Sequence, residues 1–209
     1  MLLINHLDHI ENNNAMIYLT SDLHLYHKSF IYEPRGFHSA EEMNAAIEKN
    51  WNELVTDDDD VYILGDLIFK GENNTLSDAM AIVGRLKGKK HLILGNHDGS
   101  MKIDLYKKER SIVEIEGAKY LWYKGHQYYL SHFPSITVDV EVEKPKDWMI
   151  NFFGHTHKKE KFYNGLPFMY NVSLDAHDNR PVSIEEAIAD IKTEIEKYLQ
   201  KDGTNEKTK

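Results

Sequence analysis

The sequence predicts an α/β domain of two packed sheets with helices outside them. Three observations lead there. Strands and helices alternate through the first half, an order that needs right-handed crossovers and gives parallel strands. The second half is richer in short strands separated by turn residues. Five short polar motifs each follow an apolar run, and the exits of strands are where an open α/β sheet places its functional crevice.

Each element has its own signal. Residues 17–21, Ile-Tyr-Leu-Thr-Ser, read as a buried strand. Ser39-Ala40-Glu41-Glu42 is a capping box, opening a helix whose apolar positions Met43, Ile47, Trp51 and Leu54 follow the helical period. Residues 61–64 form a second strand, and Thr75-Leu76-Ser77-Asp78 starts another helix that runs to about Leu86 and is closed by Gly88. Residues 91–94 are the third strand. Further strands are expected over 112–115, 120–123, 128–131, 150–153 and 168–171, with turns at Gly117, Lys124-Gly125 and Asn164-Gly165. Ser183-Ile184-Glu185-Glu186 caps a last helix with one stripe, Ile184, Ala187, Ile188, Ile191, Ile195 and Leu199. Residues 1–15 read as an extension ending in Asn12-Asn13-Asn14, which makes Met16 a candidate natural start. The domain is expected over 16–200, with 201–209 a flexible polar tail.

Composition bounds the function. At 209 residues and 41% hydrophobic the chain can bury a proper core. No run reaches the eighteen or so apolar residues of a membrane span, and the N-terminus has no basic leader, so a cytoplasmic protein without membrane contact is expected. There is no cysteine, so any metal must be held by oxygen and nitrogen. The net charge of −9 argues against extended nucleic acid, whose binders carry a basic footprint. An acidic chain still binds phosphate where bound cations reverse the local sign. Oligomeric state is not legible here.

The motifs are Asp22-Leu23-His24, Gly65-Asp66, Gly95-Asn96-His97-Asp98, Ser131-His132 and Gly154-His155-Thr156-His157. They offer carboxylates, one amide and imidazoles, the donor set of borderline divalent cations. The glycines at 65, 95 and 154 permit sharp turns and close backbone approach.

Taken in this order, the motifs resemble the signature of the calcineurin-like metallophosphoesterase superfamily over roughly residues 16–190. Ser21-Asp22-Leu23-His24-Leu25-Tyr26-His27-Lys28 followed by Trp51-Asn52 is similar to a compact bacterial and phage branch, which often has Gly where this chain has Tyr26. The resemblance implies a four-layer α/β-β/α sandwich of two mixed sheets flanked by helices. It implies two divalent metal ions, Mn2+ favoured, with Fe, Zn, Ni or Co as alternatives. Asp22, His24 and His157 would hold one ion, Asn96, His132 and His155 the other, and Asp66 would bridge them. His97 would face the leaving oxygen of a phosphoester, with Asp98 a candidate to orient it. A metal-bridging hydroxide would attack phosphorus in line. The two cations would outweigh Asp22, Asp66 and the hydroxide by about one charge, which draws phosphate in. The expected substrate is a small phosphomonoester or phosphodiester. The alternatives are a non-catalytic scaffold of the same fold and a nuclease acting on short nucleic-acid ends.

Other polar residues divide more plainly. His27 and Arg35 are candidates to touch substrate phosphate, Arg35 as a fork, against an ordinary loop role for both. His38, His126 and His177 read as surface or structural residues. Asp57-Asp58-Asp59-Asp60 reads as a solvated turn, since it lacks the spacing of a calcium loop. Asn171-Val172-Ser173 matches a glycosylation sequon that is idle without export. Tyr120, Trp122 and Tyr123 read as core and edge packing.

Overall fold

Period-two alternation sends Val61 and Ile63 to one face of a strand and Tyr62 and Leu64 to the other, and the fold is organised around that division. The computed structural model describes residues 15–137 and 148–205. Its strands are β1 (Ile17–Thr20), β2 (Asp60–Leu64), β3 (Lys89–Ile93), β4 (Ile112–Glu116), β5 (Ala118–Tyr123), β6 (His126–Ser131), β7 (Ile150–Phe153), β8 (Met169–Asn171) and β9 (Val182–Ser183). Its helices are α1 (Ser29–Tyr32), α2 (Ala40–Leu54), α3 (Leu76–Val83), α4 (Ser100–Tyr106) and α5 (Ile184–Asn205). The first sheet runs β4-β3-β2-β1-β9, with β1 to β4 parallel and β9 antiparallel to β1. The second runs β5-β6-β7-β8, with only the β5–β6 pair antiparallel. Both sheets are mixed, and helices flank them.

Two apolar clusters hold this together. Val61, Ile63 and Leu92 pack outward against Met43, Ile47 and Trp51 of α2 and against Ala79, Ile82 and Val83 of α3. Leu19, Leu64 and Ile93 pack inward against Leu130, Phe152 and Tyr170 of the second sheet. Each fully buried side chain of this size is worth about 1.5–3 kcal/mol. Trp51 is fully buried, and its Nε1 donates to the Lys87 carbonyl at 2.9 Å, so the indole leaves no orphan donor. The α5 stripe places Ile184, Ala187 and Ile191 in the inter-sheet cluster, while Leu199 stays 47% exposed.

Sequence signals and structure part company at helix ends and short elements. α3 stops at Val83 rather than near Leu86: Gly84 is its C-cap, and the chain continues as turns. Gly88, at φ +86°, serves the turn into β3, where a Cβ would press on Val55 and Asp59. α1, α4 and β9 were not predicted; at four, seven and two residues they are too short to show a period. The capping sequence at 75–78 forms a full reciprocal box. At α2, Ser39 caps Glu42 N–H, but the Glu42 carboxylate reaches back to His38 N instead of closing the box. Helix α5 continues to Asn205, past the expected start of a tail at 201. The expected extension lies almost wholly outside the described residues. No helix among the described residues is long and apolar enough to cross a membrane.

Several polar and aromatic expectations also need correction. His177 is buried, not at the surface: the 3-10 turn Leu174–Ala176 folds it inward, where Nε2 donates to Asn171 O at 2.8 Å and burial pushes its pKa down to about 4. Tyr120 and Trp122 are not core residues. They stand 57% and 67% exposed on β5, an edge strand, while Leu121 between them points to the core. Tyr120 packs at the sheet edge against Tyr129, 5.4 Å between ring centroids. The acidic turn is not uniformly solvated either. Asp59 is buried, accepts from Thr56 N and Thr56 Oγ1 at 2.7 and 2.9 Å, and ties the turn to Met16 N at 2.7 Å. Asp59→Ala is therefore expected to cost about 1–3 kcal/mol, read as a lower urea midpoint. Neighbouring Asp58→Ala should leave the midpoint within experimental error; equal effects would refute the asymmetry.

Candidate metal centre

The strands of both sheets deliver their ends to one crevice. Past β1 and β2 the backbone keeps pairing: Asp22 N–H bonds Gly65 O, His24 N–H bonds Asp66 O, and Leu25 N–H bonds Leu67 O, all at 3.0–3.1 Å. In the second sheet Gly154 N–H bonds His132 O at 3.0 Å, extending the β6–β7 pairing in the same way. Close approach explains the glycines. A Cβ at Gly154 would run into Ser21 Oγ and Asp22 Oδ2, and one at Gly95 into the Asp66 carboxylate. Asp22, His24, Tyr26, Asp66, His155 and His157 all take positive φ, between 49° and 68°. Each such turn costs a non-glycine residue about 1–2 kcal/mol. A run of them at one crevice marks strain kept for function.

The seven expected ligands, Asp22, His24, Asp66, Asn96, His132, His155 and His157, converge. Asp22, His24 and His157 form one donor group, and Asp22, Asp66 and His132 another. His24 Nε2 lies 3.1 Å from His157 Nε2 and 3.6 Å from Asp22 Oδ1. Around Asn96 Oδ1, His132 Nε2 stands at 2.8 Å and His155 Nδ1 at 3.0 Å. Asp66 Oδ2 lies between the groups, 3.5 Å from His132 Nε2 and 3.8 Å from His24 Nε2.

The donor set fits divalent cations. Asp22 Oδ2 accepts from His155 N at 2.8 Å and sits 2.6 Å from Ser21 Oγ, yet Asp22 Oδ1 is buried with no hydrogen-bond partner. An ionised oxygen left so is costly unless a cation faces it. His132 Nδ1 donates to Leu64 O at 2.7 Å, which leaves the Nε2 lone pair for the crevice. Burial lowers the pKa of His24 and of His155, with His132 adding to the effect at His155. Neutral imidazole is the form that ligates. At Asp22 burial favours protonation, but the imidazoles around it, His24 foremost, outweigh it and the pKa falls.

The remaining candidates separate. His97 stands outside the ligand set, its side chain 48% exposed and Nε2 4.0 Å from Asp66 Oδ2. Asp98 does not orient it. The Asp98 carboxylate accepts instead from Asp66 N, Gly95 N and Tyr106 Oη at 2.7–2.9 Å, because two backbone amides and a phenol from α4 converge on it. Arg35 is not a phosphate fork. Its side chain is 2% exposed, and a buried guanidinium must satisfy its donors. It grips Asp175 at 2.7 and 3.0 Å and the Asp22 carbonyl at 2.7 Å. His27 is buried beside the crevice, its Nδ1 accepting from Lys28 N at 2.8 Å and its pKa pushed by burial to about 4.

Sequence reasoning missed Asp175 and Ser21, which hold His157 and Asp22 from behind, and Tyr106, which holds Asp98. Asp175 Oδ2 lies 3.1 Å from His157 Nδ1, turning Nε2 to the crevice. No motif surrounds Asp175; the Ser21↔Ser173 bridge and the bond from Leu174 N–H to Ser21 O bring that segment to the site. Ser21 was visible as part of a strand and a motif, but a serine there carries no sign of its partner.

Comparison with known proteins agrees with this geometry. A crevice of carboxylates, an amide and imidazoles at the strand exits of an α/β sandwich is a candidate divalent-metal site. The chain belongs to the calcineurin-like phosphoesterase superfamily, whose domain it matches over residues 16–191. It is 32% identical over 172 residues to an uncharacterised protein of Methanocaldococcus jannaschii, covering 81% of this chain and 87% of that one. It is 29% identical over 164 residues to the gene 66 protein of Mycobacterium phage L5, covering 67% of this chain and 76% of the phage protein. A solved structure of a protein of unknown function from Aquifex aeolicus is similar at a TM-score of 0.64 and 25% identity, over 83% of this chain and 97% of that one.

Asp175 gives a pH test. Burial opposes its ionisation, but hydrogen bonds from His157 and Arg35 prevail and hold its carboxyl well below the usual carboxylate range. Its folded pKa is depressed, so its contribution is full above the unfolded value of about 3.9 and is lost as pH falls towards the folded one. The metal-free protein should lose stability below about pH 4 with a steepness that Asp175→Asn reduces. The same variant should weaken metal binding by roughly 10–100-fold by titration calorimetry. An unchanged acid limb and unchanged affinity would remove Asp175 from this role.

Proposed function

We propose that this chain is a two-metal phosphoesterase that hydrolyses a small phosphomonoester or phosphodiester. The observation that carries the reading is the convergence of seven candidate ligand side chains on one strained crevice, with His97 at its mouth and outside that set. Asp22, His24 and His157 would hold one ion, Asn96, His132 and His155 the other, and Asp66 both. Mn2+ is favoured, and Fe, Zn, Ni and Co suit the same mixed ligation. When bound, such a pair supplies Lewis acidity and a nucleophile at neutral pH.

The chain's own residues supply the rest. Asp66 fixes the spacing of the two ligand groups, because its Oδ1 is also tied to His97 N at 2.9 Å. His97 holds a proton at the mouth and passes it to the departing alkoxide. The net charge of −9 disfavours tracking along nucleic acid, which supports small esters over a polymer. A retired scaffold would be free to lose ligands, and none of the seven is lost.

The reading is tested by a panel of alkyl, aryl and nucleotide phosphoesters on Mn2+-loaded protein, with duplex DNA as competitor at physiological salt. Turnover of small esters and weak competition are expected; tight, salt-sensitive DNA binding with faster DNA cleavage would favour the nuclease alternative. Asp66→Asn should lose more turnover and more bound metal, by elemental analysis, than Asp22→Asn. Two retained metals and a full rate would sink the bridging assignment. His97→Ala should keep its metal and lose kcat roughly 10²-fold on alkyl esters but far less on nitrophenyl esters, whose leaving group needs no proton. Equal losses on the two esters would rule out proton donation.

A further inference from the structure

Phe69 is a partly buried aromatic at the site that no motif includes. Its backbone N–H bonds Leu25 O at 2.8 Å, so the paired loops beyond β1 and β2 set its place. Its ring packs on three imidazoles: His27 at 3.9 Å between centroids, His24 at 4.9 Å and His97 at 5.1 Å. Lys102, from α4, sets its ammonium over the Phe69 ring 3.9 Å from the centroid and donates to the Ile68 carbonyl. The wedge is thus anchored by backbone on one side and by a cation on the other.

His97 needs such a support. Its ring forms no hydrogen bond among the described residues, and its nearest carboxylate, Asp66, is too distant at 4.0 Å. The other rings it meets, His24 and His27, lie at 6.0 and 6.5 Å. Asp98, the residue expected to orient it, is spent on the loop behind. An exposed imidazole without a hydrogen bond samples several rotamers, and proton donation needs one of them.

We propose that Phe69, backed by Lys102, is the positioning residue that fixes the His97 ring at the mouth of the metal centre. The proposal rests on the phosphoesterase reading for its kinetic consequence and on packing alone for its geometry. Phe69 touches no reacting atom; it acts through His97. Edge-to-face packing selects the rotamer that presents the outer ring nitrogen to the leaving oxygen.

The test uses Phe69→Leu, which keeps apolar bulk but removes the ring, and Phe69→Tyr, which keeps the ring. Phe69→Leu should retain metal and KM while lowering kcat on alkyl esters roughly tenfold more than on nitrophenyl esters. Phe69→Tyr should restore the ratio, and Lys102→Met should fall between. Added to His97→Ala, Phe69→Leu should cost nothing further, since its effect passes through the missing ring. A loss equal on both ester classes, or one that adds fully to His97→Ala, overturns the proposal. In metal-free protein, the His97 Cε1–H resonance should carry a ring-current shift that Phe69→Leu abolishes and Phe69→Tyr preserves. An unmoved resonance overturns the geometry even if no ester is ever hydrolysed, whereas a moved resonance without hydrolysis sinks the phosphoesterase reading alone.

Discussion

Everything at the crevice depends on backbone pairing that outlasts its strands. β1 and β2 end as regular elements at Thr20 and Leu64, but hydrogen bonds continue from Asp22 to Gly65, His24 to Asp66, and Leu25 to Leu67. Those bonds hold buried polar backbone that would otherwise go unpaired. They also force left-handed turns at alternate residues, Asp22, His24 and Tyr26. Asp22 and His24, two residues apart, both reach the crevice. The strain of those turns is offset by the two apolar clusters beneath, which is how a small site can hold several unfavourable conformations at once.

Charge is arranged in two layers. The inner carboxylates, Asp22 and Asp66, face the imidazoles. The outer ones, Asp98 and Asp175, are turned away and spend themselves on backbone amides, a phenol, a guanidinium and one ring nitrogen. The outer layer costs nothing in local charge balance where its partner is Arg35, and it fixes the ring of His157. Arg35 belongs to this layer through Asp175 and the Asp22 carbonyl. Its cation works at one remove from any phosphate.

The parts of this arrangement legible in the sequence are those with a period or a pattern. The apolar runs at 17–21, 61–64 and 91–94 located the three central strands, and the caps at Ser39, Thr75 and Ser183 located three helix starts. The motifs named the residues that meet. What escaped were contacts made by single residues far apart in the chain. Asp175 reaches His157 across a turn, Tyr106 reaches Asp98 from a seven-residue helix, and Phe69 reaches His97 from a loop. None has a neighbour that announces its partner. Asp98 and Arg35 misled for the same reason: their types suit catalysis, and only their hydrogen-bond partners show that they are occupied elsewhere. The exposed aromatics of β5 misled because strand propensity does not say which face is covered.

The three tryptophans stand in three environments, and that gives the molecule its own optical reporters. Trp51 is sealed between α2, which carries it, and the first sheet, with its indole nitrogen hydrogen-bonded, so its emission is blue and insensitive to soluble quenchers until the first sheet opens. Trp122 projects into solvent from the edge of the second sheet, emits to the red and is quenched freely in the native state. Trp148 packs edge-on to Phe168 and Tyr198, so it reports the seating of α5 against β7 and β8. Iodide or acrylamide titration therefore separates the two sheets and the last helix within one spectrum, without a label and far from the crevice.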